Sequence, residues 1–267
     1  MITIKSILGT DHFEIKQDHF PDGTLHIKAD KNYFAKRTVV YEWNYENDAE
    51  LFTLICLRRH FNAAQHILRM PYCPHARMDR VKNDSDVFTL KYFCEAINAI
   101  DFDEVQIFDV HSNVAAALLH HCKNIIPAPQ IMSAIDKSQA AVCFYPDEGA
   151  MKRYSDMVTG PYAFGIKRRR WDDGVILGLD IVNAEVVKDK DVIIVDDICS
   201  RGGTFYHSAK ALKEAGAKNI YLYVSHLEKT VLDGELWKEM KEEGLIKHIY
   251  TADPLFDVSN YDEITVV

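Results

Sequence analysis

Runs of apolar residues alternate with amphipathic stretches along most of this chain. Residues 38–43 (TVVYEW) and 192–195 (VIIV) have the length and composition of buried strands, whereas residues 88–100 space their apolar side chains along one face of a helix. By the same patterns we predict further strands at residues 66–72, 104–110, 140–146, 219–226, 248–253 and 262–267, a hairpin or strand at 19–29, and helices at 48–63, 112–122, 205–217 and 233–245. Such strand–helix alternation with short connections predicts a parallel sheet covered by helices on both faces.

The alternation falls into two series, which the proline-punctuated segment 125–130 (IIPAPQ) separates. We therefore expect an α/β protein of two domains, residues 1–128 and 129–267. The final predicted strand, residues 262–267, is expected either to close the second sheet or to reach back to the first domain. Asp48 is the expected N-cap of the first helix, because a short acidic side chain can accept from the free amides there.

Composition excludes several classes of protein and partner. The 267 residues are 48% hydrophobic and 27% charged, as expected of a soluble globular protein with an ample core. A formal charge of −9 argues against nucleic acid as the main partner. No apolar run has the length of a membrane-spanning helix, and residues 1–10 lack the apolar region of a signal peptide. We therefore expect no membrane partner and a cytoplasmic location.

The cysteines point to the same compartment. Six are present without a CxxC pair, which favours reduced thiols in a cytosolic protein over a disulfide framework. A zinc site is the weaker alternative, because His111, His120, His121 and Cys122 have no common zinc-ligand spacing. We interpret the HHC sequence as core and surface positions of an apolar helix.

The most informative motif is the stretch 191–204, DVIIVDDICSRGGT. Its apolar strand ends in two adjacent carboxylates, Asp196 and Asp197, and a glycine-containing loop then opens into an amphipathic helix. Backbone amides at a helix N-terminus can hold a phosphate, and carboxylates can hold sugar hydroxyls or hydrated Mg²⁺. These two ends together describe a ribose phosphate. The alternative is a generic strand–turn–helix unit with solvated carboxylates, although burying two uncompensated acids is costly.

This stretch resembles the loop that binds phosphoribosyl pyrophosphate (PRPP) in type I phosphoribosyltransferases and in ribose-phosphate pyrophosphokinases. Further segments resemble the pyrophosphokinase family in particular: HFPDG (19–23), PYCPHARMDR (71–80), FDVHS (108–112), YPDEGA (145–150) and GIKRRRW (165–171). Together they span nearly the whole chain, which resembles a divergent and shortened member of that family. The resemblance implies an α/β fold of two type I phosphoribosyltransferase-like domains, each a mainly parallel sheet flanked by helices.

The resemblance also implies an ATP site built from first-domain residues. The positions carried over from the family are Phe20, Asp22, Arg77, Asp79 and His111. An aromatic ring can stack on adenine and a carboxylate can accept from its amino group, while a guanidinium suits the triphosphate. Taken alone, each segment has an ordinary alternative: a hairpin turn, a surface loop with an internal ion pair, or a structural histidine.

Metal and catalytic residues follow from the same resemblance. It implies Mg²⁺ at the ATP phosphates, with His111, Asp109 and Asp147 as candidate ligands. Its catalytic lysine and phosphate-binding arginine map onto Lys167 and Arg169, in a strand that we expect to run into a basic loop. Consecutive cations there would repel one another unless a polyphosphate is the partner, and the alternative is a solvated basic loop.

The acceptor site is where this chain departs most from the family. Asp196 and Asp197 are implied to hold the ribose hydroxyls, and its 5-phosphate is implied to lie in the loop Ser200, Arg201, Gly202, Gly203, Thr204. Family members usually read Asp-Thr-Ala-Gly-Thr there, so this loop loses a carboxylate and gains a guanidinium. Met78 and Thr24 likewise replace an amide and a Glu in the ATP segments.

Several functions remain open from the sequence. The first is transfer of the ATP pyrophosphoryl group to ribose 5-phosphate, giving PRPP and AMP. The second is the same chemistry on a larger acceptor such as ADP-ribose, motivated by Arg201. A catalytically silent regulatory homologue is the third, and a plain phosphoribosyltransferase is disfavoured because the ATP segments would have no role. The family implies a homo-oligomer, a dimer or a hexamer.

Overall fold

The computed structural model describes residues 1–7, 12–13, 15–169 and 176–267. The chain divides into two compact units, Met1–Ile126 and Pro127–Val267. Each unit has its own large sheet and its own buried apolar core. None of the helices in the described part of the chain has the length and hydropathy needed to span a bilayer.

The first unit is built on a six-stranded sheet with the order β2-β1-β5-β6-β7-β8. Its strands are β1 (Ile2–Ser6), β2 (His12–Phe13), β5 (Thr38–Trp43), β6 (Gln65–Met70), β7 (Glu104–Phe108) and β8 (Cys122–Ile125). A separate antiparallel hairpin consists of β3 (Lys16–His19) and β4 (Leu25–Lys28). Its helices are α1 (Glu50–His60), α2 (Thr89–Ile100) and α3 (Asn113–Leu118). Strands β5 to β8 are parallel, and β1 joins β5 antiparallel.

The second unit is built on a seven-stranded sheet with the order β11-β10-β9-β12-β13-β14-β15. Its strands are β9 (Val142–Tyr145), β10 (Tyr162–Arg169), β11 (Ile176–Val182), β12 (Val192–Cys199), β13 (Ile220–Leu227), β14 (Ile249–Pro254) and β15 (Ile264–Val266). Its helices are α4 (Ala128–Ser138), α5 (Glu148–Tyr154), α6 (Gly203–Glu214) and α7 (Glu235–Glu242), with 3-10 turns at Ser155–Met157, Ala184–Val187 and Lys229–Asp233. All strand pairs are parallel except β10 with β11.

Helical and strand periodicities explain how the cores form. In α2 the buried residues Leu90, Phe93, Cys94, Ile97 and Ile100 recur every three or four positions, so they lie on one face of the helix. In β12, residues 192–195 are all buried, as expected for a central parallel strand covered on both sides. The predicted α/β architecture with mainly parallel sheets is confirmed.

Two local predictions in the first unit are wrong. The HHC sequence is not helical, because α3 ends at Leu118 and Cys122 begins strand β8. Asp48 does not cap α1, whose N-cap is Ala49 without a side-chain hydrogen bond. The Asp48 carboxylate instead accepts from the Tyr45 hydroxyl at 2.9 Å and lies 3.0 Å from Nε2 of His75. These contacts, one local with Tyr45 and one long-range with His75, engage the carboxylate in place of the capping interaction.

The second unit contains a strand that we did not predict, β11. It pairs antiparallel with β10, the predicted strand of the basic segment, which continues through Lys167 to Arg169. Residues 170–175, which complete that segment, lie outside the described residues. The last strand does not reach back to the first domain, since β15 pairs in parallel with β14 and closes the second sheet.

Candidate active site

The carboxylates of the second unit converge at one edge of its sheet. Strands β9 and β12 are parallel neighbours, so their carboxyl ends lie side by side. Asp147 is the second residue after β9, and Asp196 and Asp197 lie near the end of β12. Asp147 also caps α5, because its Oδ1 accepts the Ala150 amide hydrogen at 3.0 Å. The fold therefore brings together the acidic residues of two motifs that are about fifty positions apart in sequence.

Asp197 is held by an ion pair that sequence reasoning missed. Its side chain is 6% exposed, and its Oδ2 accepts from Nη1 of Arg153 at 2.6 Å. A short charge-assisted hydrogen bond of this kind compensates the burial of the carboxylate. Arg153 lies on α5, the helix that begins beside Asp147. The only sequence signal for this ion pair is the position of Arg153, a cation between one and two helical turns after Asp147.

Asp196 lies in a strongly negative environment. Desolvation raises its pKa well above the ordinary value of 3.8, and the carboxylates of Asp197 and Asp147 raise the pKa further. The guanidinium of Arg153 and the hydrogen bond from the Asp197 amide, at 2.9 Å, offset part of this effect. A cation or the hydroxyls of a sugar would relieve this concentrated negative charge.

The loop after β12 presents main-chain groups at the start of a long helix. Gly202 caps α6 in the left-handed conformation with φ +78°, which glycine adopts without strain. Arg201 and Gly203 are exposed, whereas Gly202 is buried and Thr204 is half-buried. The Ser200 hydroxyl lies 3.0 Å from that of Thr230. Helix α6 has twelve residues, so the amides at its start can hold an anion such as a phosphate.

The two predicted catalytic cations lie on the strand next to this edge. Lys167 and Arg169 belong to β10, which pairs in parallel with β9. In the hairpin with β11, Lys167 is opposite Leu179, and the register shifts between Arg168 and Arg169. A β-bulge produces such a register shift, and β-bulges occur more often than expected next to functional sites.

In the first unit, two of the predicted ATP segments meet. The Ser112 hydroxyl donates to Oδ2 of Asp79 at 2.9 Å, which joins segment 71–80 to the segment after β7. Hydrogen bonds from Arg80 and from Ser112 lower the pKa of Asp79, and the electrostatic interaction with His111 also lowers it. His111 is half-buried and Arg77 is exposed. Asp109, by contrast, is 2% exposed and has a φ of +42°.

The hairpin of the first unit presents the predicted adenine-binding residues at its turn. Phe20 is 50% exposed and stacks on His26, with ring centroids 4.7 Å apart. Oδ1 of Asp22 accepts from the Thr24 amide at 3.0 Å and from the Thr24 hydroxyl at 2.7 Å. Both hydrogen bonds lower the pKa of Asp22. Thr24 therefore stabilises the carboxylate form of Asp22.

Some of the predicted site residues lie together in each unit, whereas Phe20 and Asp22 lie at the separate hairpin. Asp79 and His111 lie together in the first, and the acidic cluster and the glycine loop lie together in the second. The predicted metal ligands are divided between them, with His111 and Asp109 in the first unit and Asp147 in the second. The described residues contain no cluster of three or more His, Cys, Asp or Glu side chains with metal-binding geometry.

Known proteins resemble this chain over most of its length. A model of the phosphoribosyl transferase domain matches residues 150–252. The ribose-phosphate pyrophosphokinase of Thermococcus kodakarensis is 30% identical over 226 residues, covering 82% of this chain and 79% of the relative. That of Thermosipho africanus is 26% identical over 278 residues, covering 100% and 86%. Among solved structures, phosphoribosylpyrophosphate synthetase from Mycobacterium smegmatis aligns with a TM-score of 0.74 at 18% identity, over 96% of this chain and 86% of that chain. The predicted fold class is thereby confirmed.

Replacing Arg153 by Met is expected to destabilise the protein by about 2–3 kcal/mol, because it leaves the Asp197 carboxylate buried without its partner. Urea denaturation measures the free energy of unfolding. The control is Lys152→Met on the same helix, since the Lys152–Glu148 pair is exposed and its loss is expected to cost less than about 0.5 kcal/mol. Equal losses of unfolding free energy in the two single variants would contradict the structural role of Arg153. The double variant Arg153→Met/Asp197→Asn should recover part of the stability that Arg153→Met loses.

Asp196→Asn is expected to raise the melting temperature of the ligand-free protein above neutral pH. Because the pKa of Asp196 is raised in the folded state, its contribution to stability is fully present below about pH 4 and is lost as the pH rises through the folded pKa. The neutral amide of Asn avoids that loss of stability. A gain of about 1 kcal/mol in the free energy of unfolding corresponds to a rise of about 2–4 °C in the melting temperature. Melting curves between pH 4 and pH 9 measure the effect. Asp257→Asn, whose carboxyl has a lowered pKa, should give no such gain.

Proposed function

Since the chain belongs to the ribose-phosphate pyrophosphokinase family, we propose that it transfers the pyrophosphoryl group of ATP to the anomeric hydroxyl of ribose 5-phosphate, giving PRPP and AMP. The protein is thus a transferase of the diphosphokinase type. The observation that carries the proposal is the arrangement at the end of β12. There Asp196 and Asp197 stand beside Asp147, and a glycine loop leads into the N-terminus of α6.

Each end of this arrangement matches one end of the proposed acceptor. Carboxylates can accept hydrogen bonds from the vicinal ribose hydroxyls, and the amides of the loop and of α6 can donate to the 5-phosphate. Arg153 already neutralises Asp197, so we propose Asp196 as the main ribose contact with Asp197 supporting it. The loop residues proposed to surround the phosphate are Ser200, Arg201, Gly202, Gly203 and Thr204.

The proposed donor site uses the first unit. We propose that Arg77, Asp79 and His111 contact the ATP phosphates or their Mg²⁺, and that Phe20 and Asp22 recognise adenine. The exposed Phe20 ring and the ionised Asp22 carboxylate have the chemistry that such a contact needs. The chain contains no GxxxxGKS or GxxxxGKT sequence, so nucleotide binding would not follow the P-loop pattern.

The acidic residues fit Mg²⁺, a hard cation that prefers oxygen ligands. We propose contacts at Asp147 in the second unit and at His111 and Asp109 in the first. Bound there, Mg²⁺ would neutralise charge on the ATP phosphates. The burial of Asp109 makes it the least accessible of the three.

The catalytic work of the protein's own residues is charge stabilisation. In pyrophosphoryl transfer, negative charge moves toward the leaving AMP, and fixed cations lower the barrier by binding that charge more tightly in the transition state. Lys167 and Arg169 are proposed for this role. Their strand borders β9, which leads to Asp147. Positioning of the two substrates supplies the remaining rate enhancement.

A larger acceptor such as ADP-ribose is a second candidate, favoured by the exposed Arg201 in the phosphate loop. Its guanidinium could pair with a second phosphate group. A homo-oligomer, either dimer or hexamer, and a cytoplasmic location also stay predictions.

The first test is AMP release from Mg·ATP by the purified protein, with ribose 5-phosphate and ADP-ribose as separate acceptors. We expect AMP and a product with the mass of PRPP from ribose 5-phosphate. Mass spectrometry identifies the products, and reactions without acceptor measure background hydrolysis of ATP. AMP formed with ADP-ribose alone would assign the larger acceptor, and no AMP with either would contradict the proposed activity.

Lys167→Ala tests the catalytic role and distinguishes an enzyme from a silent homologue. Removing one charge-stabilising group is expected to lower kcat by about 100- to 1,000-fold while ATP binding changes little. Steady-state kinetics and calorimetric titration with ATP measure the two quantities. Lys137→Ala, on an exposed position of α4, is the matched control and should retain full activity. Unchanged kcat in Lys167→Ala would remove this residue from the mechanism.

A further inference from the structure

A segment of the second unit runs alongside the proposed phosphate loop. Strands β12 and β13 end as neighbours, with Cys199 opposite Leu227. The Glu228 amide then donates to the Cys199 carbonyl at 2.8 Å, so the chain leaves the sheet beside residues 200–204. Residues 228–236, here called the support segment, follow that loop as far as the first turn of α7. The support segment is not part of any motif identified from the sequence.

The support segment and the loop fit together through one glycine on each side. A Cβ atom at Gly234 would lie 1.9 Å from the Arg201 carbonyl oxygen and 2.9 Å from its carbonyl carbon, so no side chain can be accommodated there without moving backbone. A Cβ atom at Gly202 would lie 2.6 Å from Cδ2 of Leu236, which is fully buried. The Arg201 backbone thus occupies the space that a side chain at position 234 would need, and the Leu236 side chain occupies the space that one at position 202 would need.

A side-chain contact adds to this fit. The Ser200 hydroxyl lies 3.0 Å from the Thr230 hydroxyl, and that hydroxyl lies 3.4 Å from Oε2 of Glu228. The side chain at the start of the loop is therefore fixed by the support segment, while Gly234 meets the next residue and Leu236 the one after. Three successive loop residues are in contact with one short stretch of chain.

We propose that residues 228–236 set the position of the phosphate-binding amides, with Gly234 and Thr230 as positioning residues for the acceptor. The inference rests on the proposed function of the loop. Amides hold a phosphate only within hydrogen-bonding distance, so displacing the Arg201 carbonyl displaces the peptide groups that lead into α6. Gly234 has an ordinary negative φ of −93°, so the contact with Arg201, rather than backbone conformation, requires glycine there.

Gly234→Ala is the direct test. We expect KM for ribose 5-phosphate to rise at least tenfold, while KM for ATP stays within twofold. Gly244→Ala is the matched control, because Gly244 has a φ of +63° and lies beyond α7. That substitution strains the backbone away from the loop, so it should lower the melting temperature without changing KM for ribose 5-phosphate. An unchanged KM in a folded Gly234→Ala protein would overturn the proposal.

Thr230 provides a second pair of variants that do not depend on the folding of Gly234→Ala. Thr230→Val keeps the shape but loses the hydroxyl, and we expect KM for ribose 5-phosphate to rise about three- to tenfold, as expected for the loss of one hydrogen bond that positions the loop. Thr230→Ser retains the hydroxyl and should restore a value close to wild type. Equal KM values for Val and Ser would count against the contact with Ser200.

Calorimetric titration with inorganic phosphate separates this proposal from the proposed reaction, because it needs no turnover. Wild-type protein that binds phosphate but releases no AMP would contradict the reaction alone. Weaker phosphate binding by Gly234→Ala and Thr230→Val would then still support the role of the segment. Equal binding by all variants, or no binding by the wild type, would overturn it.

Discussion

The second unit depends on how it accommodates two adjacent carboxylates at the end of a buried strand. Asp197 is 4% exposed, and an isolated buried carboxylate is too costly to persist in the charged form. Arg153 resolves this for Asp197, and the same guanidinium only partly offsets the charge that Asp197 and Asp147 impose on Asp196. The protein therefore retains one compensated and one strained carboxylate side by side. A strained carboxylate gains most from a cation or from hydroxyl donors, and this ties the stability of the fold to ligand binding.

The parallel sheet explains why this chemistry lies where it does. Side chains that follow neighbouring parallel strands meet at one edge, so Asp147 and the pair at 196–197 approach each other although α5, β10 and β11 separate them along the chain. The same edge carries the start of α6, whose amides have the opposite electrostatic character. One edge thus presents negative side chains next to positive main-chain groups. Such a pairing matches a molecule with hydroxyls at one end and a phosphate at the other.

The features that depend on local sequence patterns could be predicted from the sequence. Strand β5 has the predicted bounds, and Asp196, Asp197 and the glycine loop were identified as one motif because they are contiguous. The features that could not be predicted depend on residues distant in sequence. Arg153 belongs to an ordinary helical segment, and only the packing of α5 brings it to Asp197. Strand β11 was likewise missed, and it is defined by its antiparallel pairing with β10. Gly234 could not be assigned, since its requirement for glycine comes from the carbonyl of Arg201, thirty-three residues earlier.

The side chain at position 201 can change without moving the main chain of the loop, because the loop's main-chain position and its charge depend on different atoms. Gly234 and Leu236 pack against the main chain of the loop. Neither contact involves the Arg201 side chain, which is exposed. Exchanging the side chain at position 201 therefore changes the electrostatic potential over the loop while the amide positions stay the same. We therefore propose that the main chain of the loop binds the 5-phosphate, and that the Arg201 side chain discriminates between a monophosphate and a more anionic acceptor.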